Sequence, residues 1–189
     1  MALGDKRDLG IHSEMFTDGC MQLHRAGKVT NARKGQYDGV SVTTFAFGSA
    51  ELYDPASGSF TPTGDMDEAL HGHTSTLLDD GTVLIAGGVH SSTTGGPAAA
   101  ELYDPRTGEF TTVGTPAAGR SLHAAVKLAD GTVAIIGGSS DASLVPGVDI
   151  YDPATGTFRP GPTDHILQRV QPSAVLLRNG QVLVAGGMD

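Results

Sequence analysis

At 189 residues the chain has room for one or two ordinary domains, and 27 glycines, 10 prolines and only 5% aromatic residues argue for short strands and many turns and against a helical bundle. The net charge of −9 is uneven: residues 1–48 hold six bases and five acids, whereas the remainder holds six bases and sixteen acids, an acidic surface that excludes nucleic acid as a partner. A single cysteine, Cys20, rules out an internal disulfide framework.

The opening MALGDKRDLG is charged where a signal peptide has an apolar run. No later stretch approaches the ~20 apolar residues of a membrane span. The chain as written is therefore expected in the cytoplasm without a membrane partner.

Residues 8–16, DLGIHSEMF, read as a short strand entering a turn. In residues 17–29 the apolar positions Met21, Leu23, Ala26 and Val29, with Thr17 or Asp18 as N-cap and Gly27 near the end, predict a short helix. The polar stretch TNARKGQYDG then leads into GVSVTTFAFGS, a β-branched and aromatic run that predicts a strand. The first quarter is thus expected to be a small β-α-β segment. On it, His12 and His24 read as polar surface residues, and Cys20, with no second Cys or His beside it, as a passive thiol.

LGDKRDLGIHSEMFTDG, AGKVTNARK and VTTFAFGS together resemble the acetyl-CoA hydrolase and 4-hydroxybutyrate-type CoA-transferase family over residues 3–48. The resemblance implies a nucleophile at Glu14, the glutamate of the HSEM motif, and coenzyme A as the cofactor of that reading. A carboxylate suits the task because its attack on an acyl-CoA thioester gives a mixed anhydride, dividing one hard transfer into easier steps. The family's preceding domain and its later glycine-rich CoA-contacting stretch find no counterpart here.

From residue 49 the chain repeats. ELYDPASGSF at 51–60 returns as ELYDPRTGEF at 101–110 and DIYDPATGTF at 149–158. A second landmark aligns without gaps: HTSTLLDDGTVLIAGG (73–88), HAAVKLADGTVAIIGG (123–138) and PSAVLLRNGQVLVAGG (172–187). Asp80-Gly81, Asp130-Gly131 and Asn179-Gly180 are the pairs favoured in two-residue type I′ hairpin loops, which need φ > 0 at both positions. The second strand of each hairpin is apolar without alternation, as expected when both faces are buried. The pairs Gly87-Gly88, Gly137-Gly138 and Gly186-Gly187 are expected to let backbone turn or approach a neighbour. Tyr53, Tyr103 and Tyr151 close the third strand, Asp-Pro makes a turn, and Phe60, Phe110 and Phe158 on the fourth pack toward their own sheet.

Four strands per period of ~50 with a double glycine is the pattern of kelch repeats, and residues 49–189 resemble kelch and galactose-oxidase-like repeats, with Phe where many such repeats have Trp. The resemblance implies a mainly β fold: an incomplete kelch-type propeller of about three four-stranded blades, comprising a half blade at 50–62, blades at 69–113 and 120–161, and a half blade at 170–187. Open blade faces imply self-association. His73 and His123 recur in phase, which assigns them to the repeat, and Cys20 lies outside the repeats, which argues against galactose-oxidase-type copper chemistry. The acidic turns at Asp79-Asp80 and Asp141 lack the dense alternating oxygens of a calcium loop, so no metal is expected.

The function expected is that of a non-enzymatic propeller fragment that binds a protein or glycan without a cofactor, its parent open to being a secreted protein. The alternative is a CoA-transferase-related chain with Glu14 as the matching nucleophile, inactive through truncation, or a chimeric gene product joined near 46–55.

Overall fold

The computed structural model describes residues 46–90, 99–117, 119–140, 143–163 and 168–189, and the backbone alone at 35–37 and 40–42. The chain divides into two units, Met1–Thr44 and Phe45–Asp189. In the first, β1 (Gly35–Tyr37) pairs antiparallel with β2 (Val40–Val42). The β-branched run does form a strand, and its partner is GQY, from the polar stretch before it that predicts no strand. The strand at 8–16 and the helix at 17–29 lie outside the described residues, as does Glu14.

The second unit is mainly β, with no helix among the described residues. In order it contains β3 (Glu51–Asp54), β4 (Ser59–Pro62), β5 (Thr74–Leu77), β6 (Val83–Ala86), β7 (Glu101–Asp104), β8 (Glu109–Thr112), β9 (Ala124–Lys127), β10 (Val133–Ile136), the short pair β11 (Ser139–Ser140) and β12 (Ser143–Leu144), β13 (Val148–Asp152), β14 (Thr157–Pro160), β15 (Ser173–Leu176) and β16 (Val182–Ala185). Two four-stranded antiparallel sheets, β5-β6-β7-β8 and β9-β10-β13-β14, follow each other in the chain. Two-stranded sheets precede and follow them, β3-β4 and β15-β16.

The hairpin loops depart from the expected type I′ geometry. Gly81, Gly131 and Gly180 take positive φ (89°, 85° and 84°), while Asp80, Asp130 and Asn179 are not among the positive-φ residues. The loop spans three residues: Leu78 N donates to Thr82 O at 2.8 Å and Gly81 N to Leu78 O at 3.2 Å. The reason is the acid itself. Asp80 Oδ1 accepts Thr82 N (2.9 Å) and Thr82 Oγ1 (2.7 Å), a local closure that leaves only the glycine in the left-handed region.

The core lies between sheets, and strand period assigns each residue to a face. Leu78, Leu84, Ala86 and Ala100 of the first four-stranded sheet pack against Val133, Ile135 and Tyr151 of the second. Val126, Ala134, Ile136 and Ile150 on the other side of the second sheet then meet Ala174, Leu176, Val182 and Val184 of the last. Alternate residues of one strand thus face the preceding and the following sheet, so β10 is buried throughout. β16 does not share this property: Leu183 is 50% exposed, and among the described residues no sheet follows it.

Candidate functional site

The repeated residues meet in three separate, equivalent places. Tyr53 stands opposite Phe60, Tyr103 opposite Phe110 and Tyr151 opposite Phe158, with ring centroids 4.9, 4.8 and 5.0 Å apart, within the range of favourable tilted aromatic pairs. Their burial differs: Tyr53 is 55% exposed, whereas Tyr103 and Tyr151 are buried. Tyr103 and Tyr151 each point at the preceding sheet, and among the described residues Tyr53 has no four-stranded sheet before it.

The double glycines tie one sheet to the next. Gly88 N donates to Arg120 O and Gly138 N to Arg169 O, at 2.8 and 2.9 Å. A Cβ on Gly87 would collide with the Arg120 carbonyl and with the His123 ring. At this close approach glycine is required twice over, by space and by φ of 66°. Gly186 and Gly187 repeat the backbone conformation with φ of 68° and 95° at the open end of the array.

Around these glycines lies a line of buried polar groups that the repeat signature only partly announces. Arg120 is buried, with Nη2 donating to Asp149 Oδ2 at 2.8 Å and Nη1 to Gly137 O at 2.8 Å. Burial pulls its pKa below the ordinary guanidinium value against the opposing pull of Asp149. His123 Nε2 shares a 2.8 Å hydrogen bond with Thr74 Oγ1 of the preceding sheet. Burial first, then the charge of Arg120, pushes its pKa down to about 3, so it is a neutral imidazole at pH 7. His73 is lowered for the same first reason, burial. In the first four-stranded sheet Leu70 stands where the second has Arg120, and the buried carboxylate of Glu101 accepts Asp67 N at 3.0 Å and Glu68 N at 3.3 Å. Desolvation raises the Glu101 pKa.

This arrangement can hold backbone in place, and it lacks the accessibility that proton transfer to a substrate needs. His123 is 6% exposed and Arg120 2%. Among the described residues no group of three or more His, Cys, Asp or Glu could hold a metal ion. Of the acidic turns, Asp80 caps its own loop and Asp79 pairs with Lys127; Asp141 lies outside the described residues. A signal for the buried ion pair was available in the repeat: Arg occupies the same place at 120 and 169, and an acid opens each ELYD or DIYD, at 51, 101 and 149.

No family model matches the chain. A stretch of 52 residues, 28% of this chain, is 48% identical to the 4-hydroxybutyrate coenzyme A transferase of Clostridium kluyveri. A stretch of 53 residues, also 28% of the chain, is 47% identical to the succinyl-CoA:cyclohexane-1-carboxylate CoA transferase of Geobacter metallireducens. The chain spans 12% of the length of each. The CoA-transferase resemblance is thereby supported over a short segment; the kelch resemblance has no such support.

Proposed function

We propose that the function of this chain is related to CoA transfer and resides in residues 3–48, with Glu14 as the acyl-accepting nucleophile. The observation that carries the reading is the 48% and 47% identity to two enzymes named for CoA transfer to different acids. In the proposed step a Glu14 carboxylate oxygen attacks the thioester carbonyl carbon, the C–S bond breaks, and CoA leaves as thiolate from a glutamyl–acyl anhydride. The thiolate then attacks the glutamyl carbonyl carbon, releasing the acyl group as a carboxylate and leaving a glutamyl–CoA thioester. Such a nucleophile works only within a thioester pocket that has donors for the oxyanion. The matched segment is about an eighth of each relative's length, so adduct formation, rather than turnover, is the measurement suited to this chain.

Incubation with 4-hydroxybutyryl-CoA and then hydroxylamine is expected to convert Glu14 to its hydroxamate, read by peptide mass spectrometry, and Glu14→Gln is expected to abolish the change. An unmodified Glu14 peptide in the wild-type chain would remove the reading.

A second reading concerns residues 49–189, and the in-phase recurrence of the same turn, Tyr–Phe pair and double glycine favours it. We infer that these residues form an arc of a kelch-type propeller, with blades at 69–113 and 120–161 and half blades at 50–62 and 170–187, that binds a protein or glycan without a cofactor. The burial of His123 supports a non-catalytic role. Retention on a glycan array that Glu14→Gln leaves intact would separate this reading from the first.

A further inference from the structure

We infer that Asn179 is a site of self-modification: in the folded chain it loses ammonia through a cyclic imide closed on the Gly180 nitrogen and becomes aspartate and isoaspartate. One loop geometry closes the hairpins β5-β6, β9-β10 and β15-β16. Leu177 N donates to Gln181 O at 2.7 Å and Gly180 N to Leu177 O at 3.0 Å, just as Leu128 N donates to Thr132 O at 2.7 Å and Gly131 N to Leu128 O at 3.1 Å. What changes between copies is the side chain ahead of the glycine: Asp80, Asp130 and then Asn179.

That exchange alters the chemistry of the loop. Imide closure needs a side-chain carbonyl that carries a leaving group, followed by a backbone nitrogen that no side chain shields. A neutral carboxamide can expel ammonia, whereas an ionised carboxylate has no such group to lose. Asp80 Oδ1 accepts Thr82 N and Oγ1, and Asp130 Oδ1 accepts Thr132 N at 3.0 Å and Thr132 Oγ1 at 2.7 Å. The threonine hydroxyl foremost, and then the amide, hold both carboxyl groups below the usual carboxylate range, so both are ionised at neutral pH. At Asn179 the partner is Gln181: Asn179 Oδ1 accepts Gln181 N at 3.1 Å, and Nδ2 donates to Gln181 Oε1 at 2.7 Å. The first of these bonds folds the carboxamide back against the peptide that follows it. On the attacking side nothing lies within 4 Å of where a Cβ on Gly180 would stand. Asn179 is exposed, as are Asp80 and Asp130 in the complete sheets, so access from solvent belongs to the loop in every copy.

The step balances without an oxidant or a reductant. Base removes the Gly180 N–H proton, the nitrogen bonds to Asn179 Cγ, and the Cγ–Nδ2 bond breaks with release of ammonia. Water then opens the imide. Opening at Cγ restores the ordinary backbone with an aspartate; opening at the main-chain carbonyl leaves the chain running through the side chain, an isoaspartate with a longer backbone. The aspartyl product suits a loop that Asp80 and Asp130 already occupy. The isoaspartyl product lengthens the backbone inside the Leu177–Gln181 closure and loses its hydrogen-bond register. Because the Gly180 N–H must leave Leu177 O before the nitrogen attacks, the fold slows the reaction without preventing it.

The chain has two asparagines, and the other, Asn31, precedes an alanine, so each molecule carries its own control. Incubation of the full chain at mildly alkaline pH, followed by peptide mass spectrometry, is expected to convert Asn179 to an acid in two chromatographically distinct forms while Asn31 stays an amide. The conversion is expected to run about 5-fold slower than in guanidinium, the factor that one backbone hydrogen bond of ordinary net strength supplies. The aspartyl product and Asn179→Asp are expected to keep the wild-type urea midpoint, and the isoaspartyl product to unfold at lower urea. An Asn179 peptide that stays unmodified in the folded chain while the guanidinium sample converts would overturn the proposal, as would equal conversion at Asn31.

Discussion

The two four-stranded sheets are built from the same repeat in the same register, yet they meet the same electrostatic demand in different ways. Each buries an acid at the start of its third strand, Glu101 in the first and Asp149 in the second. In the second sheet Arg120 supplies the opposite charge. In the first, where that position is Leu70, two backbone amides from Asp67 and Glu68 supply the donors instead. A carboxylate can be held by dipoles or by a cation, and the extra methylene of Glu over Asp gives Glu101 the reach for neighbouring amides. The comparison teaches that the repeat fixes the backbone and leaves the means of satisfying a buried charge free.

The largest expected break in this comparison is Arg120→Leu, which makes the second sheet resemble the first at that residue without the amides that serve Glu101. An unpaired buried Asp149 costs about 3–5 kcal/mol, a large share of the ~5–15 kcal/mol typical of a whole domain. Urea denaturation is expected to show that loss, and Arg120→Leu combined with Asp149→Leu is expected to recover much of it. Equal midpoints for the single and double variants would mean that the ion pair is not what Arg120 contributes.

Acid sharpens the comparison next, because the histidines of the two sheets differ in depth. His123, held between sheets against Thr74, has its pKa pushed down to about 3, and His73 is lowered too. As pH falls below the unfolded value near ~6.5, the unfolded chain takes the proton first. The stability these neutral rings contribute is therefore complete above that value and is lost progressively toward pH 3. For His123 the slope approaches ~1.4 kcal/mol per pH unit, and His73 adds in the same direction. Glu101, whose pKa is raised, works in the opposite sense nearer its own range, so pH 7 to 5 is the window in which the histidines dominate. His123→Gln is expected to flatten the pH dependence of the urea midpoint more than His73→Gln. An unchanged dependence in His123→Gln would contradict the burial of that ring.

Which parts of this were visible in the residues follows from the range of the interactions. Strand positions were legible because period, double glycine and Asp-Pro turn act within a few residues. The loop geometry at Asp80-Gly81 was misread because the pair suits two turn types, and the choice falls to the Asp side chain closing on Thr82. Burial of both faces of the second strand was right for β10 and wrong for β16, since it depends on a sheet that the strand's own residues do not encode. The Arg120–Asp149 pair joins residues 29 apart in sequence, and only the aligned copies, read column by column, point to it. For Glu14 the residues supply a motif and the comparisons supply CoA-transferase relatives over a short stretch, while Glu14 itself lies outside the described residues.

The smallest expected effect isolates a single hydroxyl. Tyr103 Oη shares a 2.9 Å hydrogen bond with Thr63 Oγ1, which reaches it from the connection after β4. Tyr151 occupies the same place one sheet later and is fully buried, but its hydroxyl has no hydrogen-bond partner. The residue aligned with Thr63 is Val113, which packs against this same core and presents a methyl group where the first copy presents an oxygen. Burying an unpaired hydroxyl costs about 1–3 kcal/mol, whereas a made bond contributes about 1 kcal/mol net. Val113→Thr keeps the branched shape and supplies the acceptor, so it is expected to raise stability by about 1 kcal/mol, seen as a higher urea midpoint with an unchanged slope. In a Tyr151→Phe background the same substitution has no hydroxyl to meet and is expected to destabilise. A gain of equal size in both backgrounds would show that Val113 acts through packing, and that the Thr63–Tyr103 bond is not the feature that distinguishes the two copies.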